Sequence, residues 1–334
     1  MSFDFLSAWF ASYGDRDLRV AIAADQQQKL LFGVPIERVN LGPLPAVGQL
    51  QVALPSIVPR LTVDVRRLGS AELADFVAQL LTQERGHRML FEHVPQGSSL
   101  AQHLRQIARS GGCYVHESEG RTSPFVDVAR PIKDMYDGYS RSTRYWLRRS
   151  ANRLIREGDV EICKYDTTSI QDAHFDEAVA VSKASWKGPM GSDMAGTPGS
   201  LAMYRALCFE CPFENIALWL LRLNGKAIAM QFHLVDHGTA YLLRSDFSQS
   251  HQHLSPGVAL LRNILENYCE DAALVEFDLC GQAYEYKQKI ASGYRRHCTF
   301  KVYKTGLAST LANLFYRLKG SSNTAQSPDE PQRR

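Results

Sequence analysis

The sequence predicts an α/β chain built as two halves, each on a mixed sheet. Three observations predict it. Strand and helix signals alternate from Leu18 to Arg130. Residues 215–247 read as three strands joined by tight turns. A helical segment and another apolar run follow them, long enough for the right-handed crossover that sets two strands in parallel. A chain of 334 residues allows two such units. The expected halves are 1–130 and 131–305, joined near 125–140, with a C-terminal helix and disordered tail over 306–334.

In the first half, "LRVAIAAD" and "KLLFGVPIERV" read as strands. "SAELADFVAQLLTQER" is a helix with Ser70 as N-cap and an apolar face at Leu73, Phe76, Val77, Leu80 and Leu81. "HRMLFEHV" is a strand, and "SSLAQHLRQIARSGG" is a helix stopped by its glycines. "CYVHESEG" and "FVDVAR" close the half as two strand segments.

In the second half, "SRSTRYWLRRSANRLIREGD" is a helix ending at Gly158, with a narrow apolar stripe at Leu147, Ala151 and Leu154. Its arginines, from Arg141 to Arg156, form either a solvated basic face or an anion contact. The anion could be a cofactor phosphate, a nucleotide-linked sugar or a lipid surface. "IQDAHFDEAVAVSKASWKG" is a helix with acids early and lysines late, matching the helix dipole. The strand "NIALWLLRL" turns at Asn224-Gly225 into "KAIAMQFHLV", and "AYLLRSDF" is the third strand. Pro256 to about Glu270 is a helix with Val258, Leu261, Leu265 and Tyr268 on one face. "LVEFDL" and "TFKVYK" are the last strands.

Composition bounds the function. Net charge is +3, too small to imply nucleic acid by itself. Seven irregularly spaced cysteines argue for reduced thiols and a cytoplasmic protein rather than a disulfide framework. Cys208 and Cys211 form a C-x-x-C with no second pair beside it, so no metal site is expected. Met1 to Gly14 lacks a basic signal-peptide start, and no apolar run approaches a membrane span. Walker, G-x-G-x-x-G, G-x-S-x-G and H-E-x-x-H motifs are absent.

Two stretches carry candidate chemistry. In "RSDFSQSHQHLSPGVALL", Ser255 suits a cap, Pro256 suits a first helical position, and Gly257 lets a ligand approach the backbone. Free amides at such a helix mouth favour a phosphate. Capping alone also explains Ser and Pro. In "EFDLCGQAYEYKQKIA", Asp278 sits near a strand end in the parallel part of the sheet, where ligands gather. Asp278 could deprotonate or orient an amine, and Lys287 could hold a carboxylate or phosphate. A turn aspartate, a sharp bend at Gly281 and a surface lysine are the plainer reading. Asp246 and Glu285 are further carboxylates of this kind. His233, His251 and His253 read as satisfied or solvent-facing. "ASWKGPMGSDMAGTPGS" is a Gly-rich loop, either a lid over an acceptor or an ordinary connection.

The stretches "RYWLRRSANRLIREGDV", "ASWKG", "LRLNGKAIAMQF", "LRSDFSQSHQHLSPGVALL" and "EFDLCGQAYEYKQKIA", in this order, resemble the CelD-like branch of the GNAT acyltransferase superfamily. The resemblance runs from about Trp9 to Ala291. It implies a tandem GNAT-like fold, paired as in the Fem-type peptidyltransferases. It also implies acyl transfer from acyl-CoA to an amine or hydroxyl, often in polysaccharide or envelope biosynthesis. Under it, Ser255, Pro256, Gly257 and Arg244 form the donor-binding set, and Asp278, Lys287 and Asp246 the catalytic set. The expected partners are a small-molecule or saccharide acceptor and polysaccharide-synthesis machinery, with no DNA. An aminoacyl-tRNA donor is the Fem-type alternative, and a non-catalytic scaffold is the third. The usual Q/R-x-x-G-x-G/A loop is absent, and "QHLSPG" stands in its place.

Overall fold

β1 (Leu18–Ala24), β2 (Leu30–Asn40) and β3 (Gly48–Val52) form an antiparallel meander. Helix α1 (Ser70–Gln83) and β4 (Arg88–Pro95) follow it, and β4 pairs parallel to β3. Helix α2 (Ser99–Ser110) and the long β5 (Cys113–Asp127) complete this set. The structure is a computed structural model; it describes residues 18–24, 30–40, 48–52, 69–84, 88–110, 113–210 and 215–304, together with Ser12. The expected helix and tail of 306–334, Cys211 and most of Met1–Gly14 lie outside these residues.

The second set begins with α3 (Ile132–Asp137), α4 (Arg141–Glu157), β6 (Val160–Asp166), α5 (Asp172–Lys183) and α6 (Pro198–Phe209). β7 (Asn215–Leu223), β8 (Lys226–Asp236) and β9 (Thr239–Phe247) form the second antiparallel meander. A short 3-10 turn (Gln249–Leu254) leads to α7 (Pro256–Glu270), then β10 (Glu276–Asp278), which pairs parallel to β9. Helix α8 (Glu285–Ile290) and β11 (Gly293–Lys304) end the described chain.

The order meander, helix, parallel strand, helix, strand therefore occurs twice. The closing strands are exchanged. β5 of the first set pairs with β10, and β11 of the second pairs with β4. β5 and β11 also pair with each other along most of their length. Among the described residues, the strands thus join one sheet of eleven, ordered β1-β2-β3-β4-β11-β5-β10-β9-β8-β7-β6. The sequence reading assigned a separate mixed sheet to each half. The backbone groups of β11 are instead satisfied by β4 and β5, which merges the two sheets.

Three cores cover this sheet. One lies under α1 and α2, built from Leu73, Val77, Leu104 and Ile107 against Met89, Phe91 and Phe300. A second lies under α4 and α7. A third, on the other face of β7–β9, lies under α5 and α6. Helix α7 buries Leu260, Leu261, Ile264, Leu265 and Tyr268, and each such side chain contributes about 1.5–3 kcal/mol of transfer free energy.

The local readings differ from the structure in a few places. The N-cap of α1 is Gly69, whose N–H donates to Glu72 Oε2 at 2.5 Å. Ser70 lies one residue inside, where its hydroxyl meets His103 and Gln106 of α2. "CYVHESEG" and "FVDVAR" belong to one strand, because β11 pairs through the polar residues between them. In α4 the stripe is Thr143, Leu147, Ser150 and Leu154, with Ala151 only half-buried. Trp186 lies beyond the end of α5 and is exposed. Strands β3 and β6 and helices α3, α6 and α8 carry no pattern that the sequence reading used. The Asn224-Gly225 hairpin is as expected, with both residues at positive φ, 52° and 77°.

Candidate active site

The site begins where two parallel strands separate. β9 and β10 pair only through Thr239–Tyr241 and Glu276–Asp278. β9 then continues to Phe247, while β10 stops. What stops it is local. Cys280 and Gly281 are both left-handed, at φ 53° and 56°, and turn the chain out of the sheet. From Leu242 to Phe247, β9 pairs with β8 on one side and, among the described residues, has no strand partner on the other.

Lys287 closes the turn. It stands on α8 and its ammonium donates to Leu279 O and Cys280 O, both at 2.7 Å. The side chain is buried, and burial pushes its pKa down to about 8. Asp278 has no exposed surface. Its Oδ1 accepts from the Cys280 N–H at 2.9 Å and its Oδ2 from Arg295 at 3.0 Å. Arg295 arrives on β11 and also meets Glu276 at 2.6 Å.

Asp246 lies on the β9 side, fully buried as well. It accepts from Ser182 Oγ at 2.6 Å, Arg244 Nε at 2.5 Å and Lys187 Nζ at 2.6 Å. These bonds tie the 184–196 loop to the strand. Lys187 also reaches Ser245 O, Arg244 reaches Ser192 O, and the Met194 N–H donates to Ser182 Oγ. The Gly-rich loop is therefore fastened by buried charge at its base. The two sides of the gap lie within electrostatic reach of one another. Burial raises the Tyr286 phenol, and the charges of Tyr284, Asp246 and Cys280 add to that. The Lys287 ammonium likewise feels Asp278 and Lys187. Trp186 and Tyr284, 44 % and 47 % exposed, stand beside the two lysines.

The helix mouth is built differently from its sequence reading. Ser255 is left-handed at φ 56°, and its hydroxyl makes no cap. Its carbonyl instead accepts from Val258 and Ala259. Pro256 occupies the first turn and is buried. A Cβ at Gly257 would sit 3.2 Å from the Phe247 ring, so packing already favours glycine there. Arg244 is not at this mouth. It belongs to the Asp246 cluster, because its place on β9 turns it towards the 184–196 loop.

The structure thus gathers Asp246, Arg244, Asp278 and Lys287 around one strand divergence, with Ser255–Gly257 after the end of β9. Glu285 is exposed and pairs with Lys289 at 2.8 Å. His233 is buried between Tyr268 and Gln231. Burial lowers its pKa to about 3, so it is a neutral core residue. Lys187, Ser182, Tyr286 and Arg295 were not singled out by sequence. Only the lysine of "ASWKG" carried a signal. Arg295 meets Asp278 because β11 crosses beside β5, a long-range event that no local pattern encodes.

Residues 141–288 match the family model of the acetyltransferase (GNAT) domain. No curated protein matches the chain by sequence. Among solved structures, FemX aligns with a TM-score of 0.61 at 9% identity, covering 93% of each chain. The C-terminal domain of a protein from Agrobacterium fabrum, named as a lysylphosphatidylglycerol synthetase, aligns at 0.54 and 15% identity, covering 93% of this chain and 91% of that one. A Bacteroides thetaiotaomicron protein of unknown function aligns at 0.57 and 15%, covering 91% and 90%. Such identities speak for the fold alone. The mixed α/β chain is therefore similar, over residues 141–288, to the GNAT acetyltransferase domain.

Proposed function

We propose that the chain moves an acyl group directly from acyl-CoA to an amine or hydroxyl in the gap between β9 and β10. The observation that carries this reading is the divergence itself. A strand with one unpaired edge, Leu242 to Phe247, can accept an extended donor arm as an added strand. The donor phosphates then reach the first turn of α7, where the helix dipole and the Gly257 N–H favour an anion, Val258 and Ala259 already donating to Ser255 O. Backbone amides of the open edge stabilise the oxyanion of the tetrahedral state.

In this reading Lys287 handles the proton. An amine with its pKa near 8 exchanges protons close to neutral pH. The acceptor nitrogen or oxygen attacks the thioester carbonyl and its proton passes to neutral Lys287. The carbon–sulfur bond breaks, and the departing thiolate takes that proton. Asp278 holds the 279–281 turn, and Asp246 holds Lys187. Both carboxylates have their oxygens engaged, which suits positioning better than proton transfer. The repeated element order supports reading 1–130 as a degenerate second copy of the GNAT-like unit. The acceptor we favour is a saccharide or envelope precursor at the cytoplasmic side, in keeping with a fold neighbour named for a lysylated phospholipid.

A second reading keeps the fold and takes aminoacyl-tRNA as donor. The likeness to FemX and the arginines of α4 favour it. Thermal shift separates the two. Acetyl-CoA, longer acyl-CoAs, free CoA and aminoacyl-tRNA are offered in turn, and a native-state ligand raises the melting temperature. Stabilisation by aminoacyl-tRNA and by no CoA species would transfer the assignment. Full function in a Lys287→Ala strain, with loss on deletion, would leave the scaffold reading.

A further inference from the structure

Helix α4 carries charge that its surroundings do not neutralise. Between Asp137 and Glu157 there are six arginines and no acidic residue. The first turn has no carboxylate, so Arg141 and Arg144 stand at the positive end of the helix dipole. Arg144 donates to Tyr136 O and Tyr139 O, and Arg153 to His253 O. Among the described residues, no carboxylate pairs with Arg141, Arg148, Arg149 or Arg156.

The same face is not purely polar. Arg141, Tyr145, Arg148, Arg149 and Ile155 share the exposed side of the helix at its ~3.6-residue period. Tyr145 is 51 % exposed and Ile155 67 %. The Arg149 guanidinium lies 5.8 Å from the Tyr145 ring. A cavity of about 1030 Å³ opens beside the N-terminal end, lined by Arg141, Arg144, Arg148, Arg262, Tyr136 and Tyr145. Glu266 pairs with Arg262 and hydrogen-bonds Tyr136, so the uncompensated charge comes from α4.

We infer that the outer face of α4 docks the protein on a bilayer rich in anionic phospholipid. Guanidinium groups match phosphate esters with paired hydrogen bonds. A cationic face interleaved with a tyrosine and an aliphatic side chain is suited to the headgroup boundary, where the apolar groups enter and the cations stay with phosphate. RNA would satisfy the arginines and could stack on Tyr145, but it gives Ile155 nothing. The inference does not rest on the acyl-CoA reading, and it competes with the aminoacyl-tRNA reading for the arginines of α4.

The test uses the full chain and vesicle sedimentation. Vesicles of equimolar phosphatidylglycerol and phosphatidylcholine are compared with phosphatidylcholine alone. The expected result is binding to the anionic vesicles only, weakened by salt. The triple variant Arg141→Gln, Arg148→Gln, Arg149→Gln should lower partitioning about 100-fold, at roughly fivefold per arginine. Ile155→Asp should lower it at high salt too, where charge attraction is screened. A control of equal charge change, Arg109→Gln, Lys183→Gln, Lys226→Gln, should bind as wild type. Thermal melts confirm that all variants fold. No binding at low salt, an equal loss in the control, or retention of single-stranded RNA with exclusion of vesicles would each overturn the inference.

Discussion

Lys287 is a cation with little access to water, satisfied by two carbonyl oxygens at a strand end. Its folded pKa of about 8 lies below the ordinary 10.5. Below pH 8 both folded and unfolded chains carry the proton, and the folded state bears the burial cost. Between pH 8 and 10.5 the unfolded chain binds more protons, so stability rises with pH across that window. Urea titrations of wild type and Lys287→Met should show this rise in wild type only. The variant should also lose about 1–3 kcal/mol below pH 8, because Leu279 O and Cys280 O lose their donor, and the gap should widen as wild type gains stability above pH 8. His233 works in the opposite range. Its folded pKa of about 3 lies below the ordinary 6.5, so stability is full above 6.5 and is lost as pH falls towards 3. His233→Gln should flatten that acid limb in pH-dependent melting. Asp246 has the largest single effect expected. Asp246→Asn leaves Lys187 and Arg244 without their carboxylate, and breaking such a buried pair costs about 3–5 kcal/mol. Limited proteolysis should then cut within 184–196 sooner than in wild type.

At the scale of elements, the mouth of α7 couples packing to any ligand it holds. Gly257 is close to Phe247, so a larger residue there meets the ring before it meets a donor. Gly257→Trp would therefore disturb the helix entry and cannot serve as a clean test of phosphate binding. Gly257→Ala in a Phe247→Ala background removes the clash. If the donor phosphates approach this backbone, calorimetry should still show weaker CoA binding in the double variant than in Phe247→Ala alone. Equal affinities would mean that the glycine is there for packing only. The opposite end of α7 is anchored by Tyr268, which bonds His233 and Trp219 in the core. Tyr268→Phe should cost about 1–3 kcal/mol by chemical denaturation, since it strands a buried imidazole nitrogen.

Across the whole molecule, the exchanged strands make the two sets interdependent. β11 has β4 on one side and β5 on the other, and both come from the first set. A fragment starting at residue 131 deprives β11 of both neighbours, and β10 of its antiparallel partner. It should therefore fail to give the sharp, cooperative melt of the full chain, as read by circular dichroism. A chain ending at residue 292 should fail likewise, because β4 and β5 lose the strand between them. A cooperative melt in either fragment would show that the second set can close its sheet alone.

The sequence by itself determined the elements that rest on local periodicity and turn chemistry. β7 to β10, the Asn224-Gly225 turn and the span of α7 are legible because alternation, positive-φ residues and a 3.6-residue stripe are short-range properties. It also marked Asp246 and Asp278 as carboxylates near strand ends, and Lys287 as an anion-holding candidate beyond the Gly281 bend. Strands β3 and β6 escaped because they lie in weakly patterned segments, where pairing rather than propensity makes the strand. What only the tertiary structure decided is pairing at long range. The single eleven-stranded sheet, the exchange of β5 and β11, the Arg295–Asp278 contact and the ties of Arg244 and Asp246 to the 184–196 loop join residues from distant strands and loops. The physical reason is common to all of them. A buried donor, acceptor or charge must find a partner somewhere, and the sequence states the need without naming the partner.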